Sequence, residues 1–106
     1  MALADIQAAI LAGRYFIGPH AGLRQVEHGI TVAKLEEAIG RDEPEVIEDY
    51  PGDPRGRSCL VRGVTKTQEV LHAVLAITGD SLFVVTCYKP DPALWYPSNR
   101  KRRTQI

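Results

Sequence analysis

The 106-residue sequence predicts an α+β domain in which N-terminal helices pack on one face of a four-stranded, curved antiparallel sheet. Three observations predict it. Apolar residues recur at helical spacing before Pro44, they fall in strand-length runs after it, and successive runs are joined by short turn sequences. One domain is expected over residues 1–106, with helices at about 3–40, the sheet at about 45–88 and an irregular basic tail over 89–106.

Leu3, Ile6 and Ile10 recur on one helical face and Gly13 stops it, which places a first helix over 3–13. Pro19 suits the first turn of a second helix that Gly29 ends. Thr31 caps a third, whose Val32, Leu35 and Ile39 form its apolar face and whose Gly40 closes it. "EVIEDYP" is a first strand, followed by the turn sequence "PGDPRG". "RSCLVRGV", "QEVLHAVLAI" and "SLFVVTCY" are the next three, the last two joined around Gly79-Asp80. "KPDPALWYPSNRKRRTQI" holds three prolines and is expected to be irregular, with Trp95 folding back as an apolar anchor.

Side chains alternate across a strand, so each strand sorts into two faces. Leu71, Ala73, Leu75 and Ile77 make one apolar set, and Phe83, Val85 and Cys87 another. With both sets turned toward the helices, His72, Thr86 and Tyr88 share the opposite, open face. A strict two-residue Gly79-Asp80 turn would put Tyr88 on the wrong side. Sharing therefore needs an odd loop or a bulge, and polarity favours the odd loop. In the second helix His20, Arg24, Glu27 and His28 form a polar stripe, while Leu23 and Val26 are expected to supply the burial.

The totals narrow the class. No apolar run approaches the roughly 20 residues of a membrane span, so no membrane role is expected. The N-terminus lacks a basic segment ahead of its apolar residues, so no signal peptide is read and a cytoplasmic location is expected. Cys59 and Cys87 are then reduced thiols used as small apolar residues. The zero net charge conceals an asymmetry, with 4 Lys/Arg against 9 Asp/Glu in residues 1–50 and 9 against 4 in residues 51–106. The run "RKRR" at 100–103 concentrates the excess, which suits a polyanionic partner; a solvated tail is the alternative. His20, His28, His72, Cys59 and Cys87 show no CxxC or HxxxH spacing, so neither metal nor cofactor is expected.

In order along the chain, His20-Ala21, Arg24, "EHGIT", "VIEDYP", "SCLVRG", "LHAV" and "VVTCYKPDPALW" resemble domain-of-unknown-function family 4258, a bacterial family, over roughly residues 15–103. The resemblance implies a fold shared with barnase, the EndoU nucleases and RelE-type toxins. It also implies metal-independent cleavage of RNA, including ribosome-associated messenger RNA, by the toxin of a toxin–antitoxin pair, with an antitoxin protein as partner. The family's recurrent polar sites fall on His20, Arg24, His72, Thr86 and Tyr88. At position 28 this chain has histidine where arginine is more frequent, and the lysine of RelE-type sites has no clear equivalent.

Cleavage through the 2′-hydroxyl needs a base, an acid and a cation. Histidine suits both proton roles, and the planar, permanently charged guanidinium suits the phosphate. His72 and His20 are the expected acid/base pair, with neither assigned to one proton. Arg24 holds the phosphate, while Thr86 and Tyr88 orient it or a histidine. Arg57, Lys89, Arg100, Lys101, Arg102 and Arg103 are the expected nucleic-acid contacts. The alternative is a non-catalytic RNA- or protein-binding module.

Overall fold

The computed structural model describes residues 3–41, 43–54, 56–78 and 81–103. The α+β class holds, but the sheet is five-stranded and mixed. Helix α1, Leu3–Leu11, buries Ile6, Ala9 and Ile10; it ends short of the expected residue 13. Gly13, at φ +72°, then turns the chain into an unexpected strand β1, Tyr15–Ile17. Helix α2, Pro19–His28, has its proline in the first turn and a left-handed Gly29 after its end, as the sequence implied. The Thr31 hydroxyl accepts a hydrogen bond from Lys34 N–H at 3.1 Å and so caps α3, Val32–Leu35. A π-helical turn, Glu36–Gly40, continues α3 and buries Ala38 and Ile39.

Strands β2 (Glu45–Tyr50), β3 (Ser58–Val64), β4 (Val70–Thr78) and β5 (Ser81–Tyr88) form the antiparallel part of the sheet. The order is β1-β5-β4-β3-β2, with β1 running parallel to β5. The inner face packs Cys59, Val61, Leu71, Ala73, Leu75, Leu82, Val84 and Cys87 against the helices. At Gly63 the backbone of the π turn lies directly on the sheet.

The β4–β5 register corrects the face assignment. Thr78 pairs with Ser81, so the spacing across residues 79 and 80, which lie outside the described residues, is not an odd loop. Leu75 pairs with Val84 but Val74 with Thr86, so a bulge at Val85 switches the faces. Leu82 and Val84 therefore face the helices and Phe83 does not, while His72, Thr86 and Tyr88 do share the outer face.

Two further expectations are overturned. Leu23 and Val26 are 58% and 82% exposed, because α2 packs through Ala21 and turns Arg24 and His28 toward the sheet instead. The outer face is not open either: the tail, which carries no helix or strand among its described residues, folds over it. Residues 91–103 make a small hairpin-like strap, with a Trp95–Arg102 bridge and Tyr96 N–H bonded to the Lys101 carbonyl at 3.0 Å. Asn99 sits at its tip in the left-handed region at φ 57°, which asparagine tolerates. Trp95 is 2% exposed and fulfils its expected role as an anchor. Among the described residues no helix is long and apolar enough to cross a membrane.

Candidate functional site

A cleft of about 490 Å³ opens between α2, the bulged end of β5 and the strap. Arg24 and His28 line it from α2, Thr86 and Tyr88 from β5, and Lys89, Asp91 and Arg102 from the segment beyond. Local chemistry explains the placement. Ala21 is fully buried, and its carbonyl accepts from the Cys87 thiol at 3.7 Å. Arg24 and His28, three and seven residues on, follow the same helix face to the cleft. The bulge at Val85 brings Thr86 and Tyr88 round to meet them.

His20 lies elsewhere. It borders a separate apolar pocket of about 380 Å³ with Pro19, Phe83 and Val85. Eight residues of helix, or about 12 Å of rise, separate it from His28. The structure thus brings together Arg24, Thr86 and Tyr88 from the expected set, leaves His20 out, and supplies His28. The His28 Nδ1 accepts from Lys89 N–H at 3.0 Å, so the neutral ring carries its hydrogen on Nε2.

His72 belongs to the site but not to its surface. It is 0% exposed, with its ring 4.4 Å from Trp95 in an edge-on arrangement. Its Nε2 donates to the Asn99 carbonyl at 2.8 Å, which leaves Nδ1 to accept from the Tyr88 hydroxyl at a long 3.4 Å. Burial pushes the imidazole below its usual range, against the raising effect of the Asn99 carbonyl and with help from Arg62. Burial likewise raises the Tyr88 phenol to about 12, which keeps it protonated at neutral pH.

The charges have partners. Arg102 makes two hydrogen bonds to Glu48, at 2.7 and 2.9 Å, and stacks over Trp95 at 4.7 Å. Burial works to raise the Glu48 carboxyl, but hydrogen bonds from Arg102 and Tyr50 outweigh it and hold the group below the usual range. Arg100 grips Glu45 in the same bidentate way, at 2.7 and 2.9 Å. Arg103 donates to the carbonyls of Pro92 and Trp95, and Arg57 pairs with Asp49 at 3.0 Å. Lys101 is exposed. Two of the four bases in the run thus tie the strap to β2, and Arg103 braces it internally. Besides Arg102, the cleft's cations are Arg24, in an exposed 3.3 Å pair with Glu27, and Lys89, whose Nζ is 3.9 Å from Glu69.

Sequence reasoning missed the Glu45–Arg100 and Glu48–Arg102 ties, and it missed Asp91. The acidic "EVIED" and the basic run were complementary in the sequence, and that was the available signal. Cys59 and Cys87 are buried, and burial pushes both thiols up. Among the described residues, no three His, Cys, Asp or Glu side chains group as metal ligands do.

The position of His72 has a measurable consequence. Because its folded pKa lies below the usual 6.5, both the strapped and unstrapped forms hold it neutral above that pH. As pH falls below about 6.5, the unstrapped form takes the proton first and strap stability declines by up to about 1.4 kcal/mol per pH unit. The facing groups are Tyr88 on β5, Arg62 on β3, Glu48 on β2, and Arg102 with the Asn99 carbonyl on the strap. Fluorescence of Trp95, the protein's single tryptophan, should report progressive loosening as pH falls below about 6.5. His72→Asn should flatten that response. A wild-type signal unchanged over this range would contradict the assignment.

The fold and cleft define a small α+β domain with a donor-rich, cation-lined pocket on the outer side of its sheet. Residues 17–89, more than half the chain, match the family model described as Domain of unknown function (DUF4258), and the chain belongs to that family. The match runs from the end of β1 through Lys89 and stops ahead of Trp95 and the basic run. No curated protein and no solved structure matches the chain.

Proposed function

We propose that the protein is a metal-independent endoribonuclease, the toxin of a toxin–antitoxin pair, that cleaves single-stranded RNA through the 2′-hydroxyl. The observation that carries the reading is the convergence of Arg24, His28, Thr86, Tyr88 and Asp91 on one cleft. In this reading the Asp91 carboxylate takes the proton of the 2′-hydroxyl as its oxygen attacks phosphorus. The P–O5′ bond breaks, and the Tyr88 phenol gives its proton to the departing alkoxide, which is the stronger base. Arg24 and the His28 Nε2–H meet the charge on the phosphoryl oxygens, and Thr86 orients them. Proton return from Asp91 to the phenolate through solvent restores the starting state. The products are a 2′,3′-cyclic phosphate and a 5′-hydroxyl.

This mechanism reassigns the two imidazoles paired from the sequence. His20 sits at another pocket and His72 beneath Trp95, where it accepts from Tyr88 and positions it. Purified protein should cleave varied single-stranded RNAs in EDTA with those end groups. Tyr88→Phe and Asp91→Asn should each slow cleavage by about 100-fold or more, as loss of an acid or base does. His20→Ala should cleave like the wild type. Dependence on added metal would overturn the mechanism. The second reading, an RNA- or protein-binding module without catalysis, is favoured by the burial of His72 and the internal pairing of the basic run. RNA binding without cleavage, with ribosomes also supplied, would establish it.

A further inference from the structure

Residues 91–103 are held over the outer sheet face by one aromatic, two ion pairs and hydrogen bonds from Arg62 and His72 to the carbonyls of Ser98 and Asn99. Trp95 plugs the space over His72, and Arg100 and Arg102 reach across to Glu45 and Glu48 on the edge strand β2. The two ties differ in place. Arg100 is not among the cleft-lining residues, whereas Arg102 lines the cleft while held by Glu48 and stacked on Trp95. One guanidinium therefore links three things: the cleft, the carboxylate that anchors the strap, and the indole that seals His72.

We propose that the strap beyond Asp91 is an anion-responsive cover over His72 at the edge of the cleft, released when a phosphodiester in the cleft draws Arg102 away from Glu48. A phosphate offers Arg102 the same bidentate geometry as a carboxylate. Its arrival removes one of the two ties to β2 and the cation stacked over Trp95 in one step, leaving Arg100–Glu45 as a hinge at the far end. The indole then lifts, and the Asn99 carbonyl leaves His72 Nε2. His72 gains access to solvent beside Tyr88, and the face that the sequence predicted to be open becomes open. The closed strap holds that face shut in the absence of substrate. Its two ion-pair ties lie at the surface and are individually weak, so a competing anion shifts the balance toward the lifted strap.

The inference concerns regulation of the site proposed above and rests on that reading for its ligand, yet the cover itself is measurable without catalysis. Acrylamide quenching of Trp95 and diethylpyrocarbonate modification of His72 report it directly. The Glu45→Gln/Glu48→Gln double variant should show quenching and His72 modification raised several-fold over the wild type. Reactivity of the buried Cys59 and Cys87 should stay low in the same sample, showing that the inner core is intact. Adding a single-stranded oligodeoxyribonucleotide, which lacks the 2′-hydroxyl and so resists cleavage, should raise both signals in the wild type, less so at high salt. Unchanged quenching in the double variant would overturn the cover. So would an oligodeoxyribonucleotide that shields Trp95 rather than exposing it. RNA cleaved with Trp95 still shielded would leave the nuclease reading standing and reject the cover. Opening by the oligodeoxyribonucleotide without cleavage of RNA would do the reverse.

Discussion

Gly63→Ala should leave little folded protein. A Cβ at this position of β3 would overlap the carbonyl oxygen of Ala38 and stand 2.5 Å from its carbonyl carbon. Neither atom belongs to a side chain that can rotate away. Relief requires the π turn to lift from the sheet, which would open the packing of Ala38 and Ile39, both fully buried. Overpacking ordinarily costs about 1–3 kcal/mol, and a backbone clash belongs at or beyond the upper end. Against a typical total of about 5–15 kcal/mol, such a loss is a large share of stability. Urea unfolding should show a midpoint far below the wild type, or no cooperative transition. Gly22→Ala is the control. Nothing lies within 4 Å of a Cβ there, so it should be neutral or stabilising by up to about 1 kcal/mol. A Gly63→Ala midpoint within error of the wild type would show that the π turn does not bear on β3 as described.

Trp95→Ala has the second largest expected effect, and it acts on the other face. Truncating a fully buried aromatic costs about 3–5 kcal/mol when its surroundings cannot collapse. Here the loss is capped by the docking energy of the strap, because the strap can leave the sheet while the helix-packed face keeps its core. The expected result is an unfolding free energy lowered by about 3 kcal/mol or less, with the inner core still closed to thiol reagents. His72 should become reactive, and the side chain of Leu60, buried on the outer side of β3, should become accessible with it. Global unfolding of Trp95→Ala would mean that the two faces form one cooperative unit.

The sequence made legible what local chemistry controls. Pro19, Gly29 and Thr31 punctuate the helices where the structure has them, because each works through its own backbone or the next turn. The strands after Pro44 were readable for the same reason, as runs of branched apolar residues between turn signals. β1 was not. Tyr-Phe-Ile is too short to display a period, and its strand conformation exists through pairing with Leu82, Phe83 and Val84 far along the chain. The bulge at Val85 was hidden likewise, since alternation in "LFVVTC" reads equally well in either frame. For the site, polarity correctly put His72, Thr86 and Tyr88 on one face but gave no sign that an indole would close over them. The orientation of α2 misled because Leu23 and Val26 are apolar yet exposed. Ala21 is the residue that packs, and it sets which histidine faces the cleft.

The strand order carries a consequence for how the chain is made. As the protein leaves the ribosome, α1 and β1 emerge first, but β1 has its described sheet partner only in β5, the last strand. The inner strands cannot substitute, because β4 and β3 each have both edges paired with other strands. The N-terminal quarter must therefore wait for residue 88 before it can close the sheet, and for residue 103 before the second face is covered. Such long-range closure is entropically costly and slow, so assembly is a late event centred on the C-terminal third. A ribosome that stalls before that third is translated holds a chain with neither the cleft nor its cover. Any activity the cleft confers therefore waits until β5 and the strap have both been made.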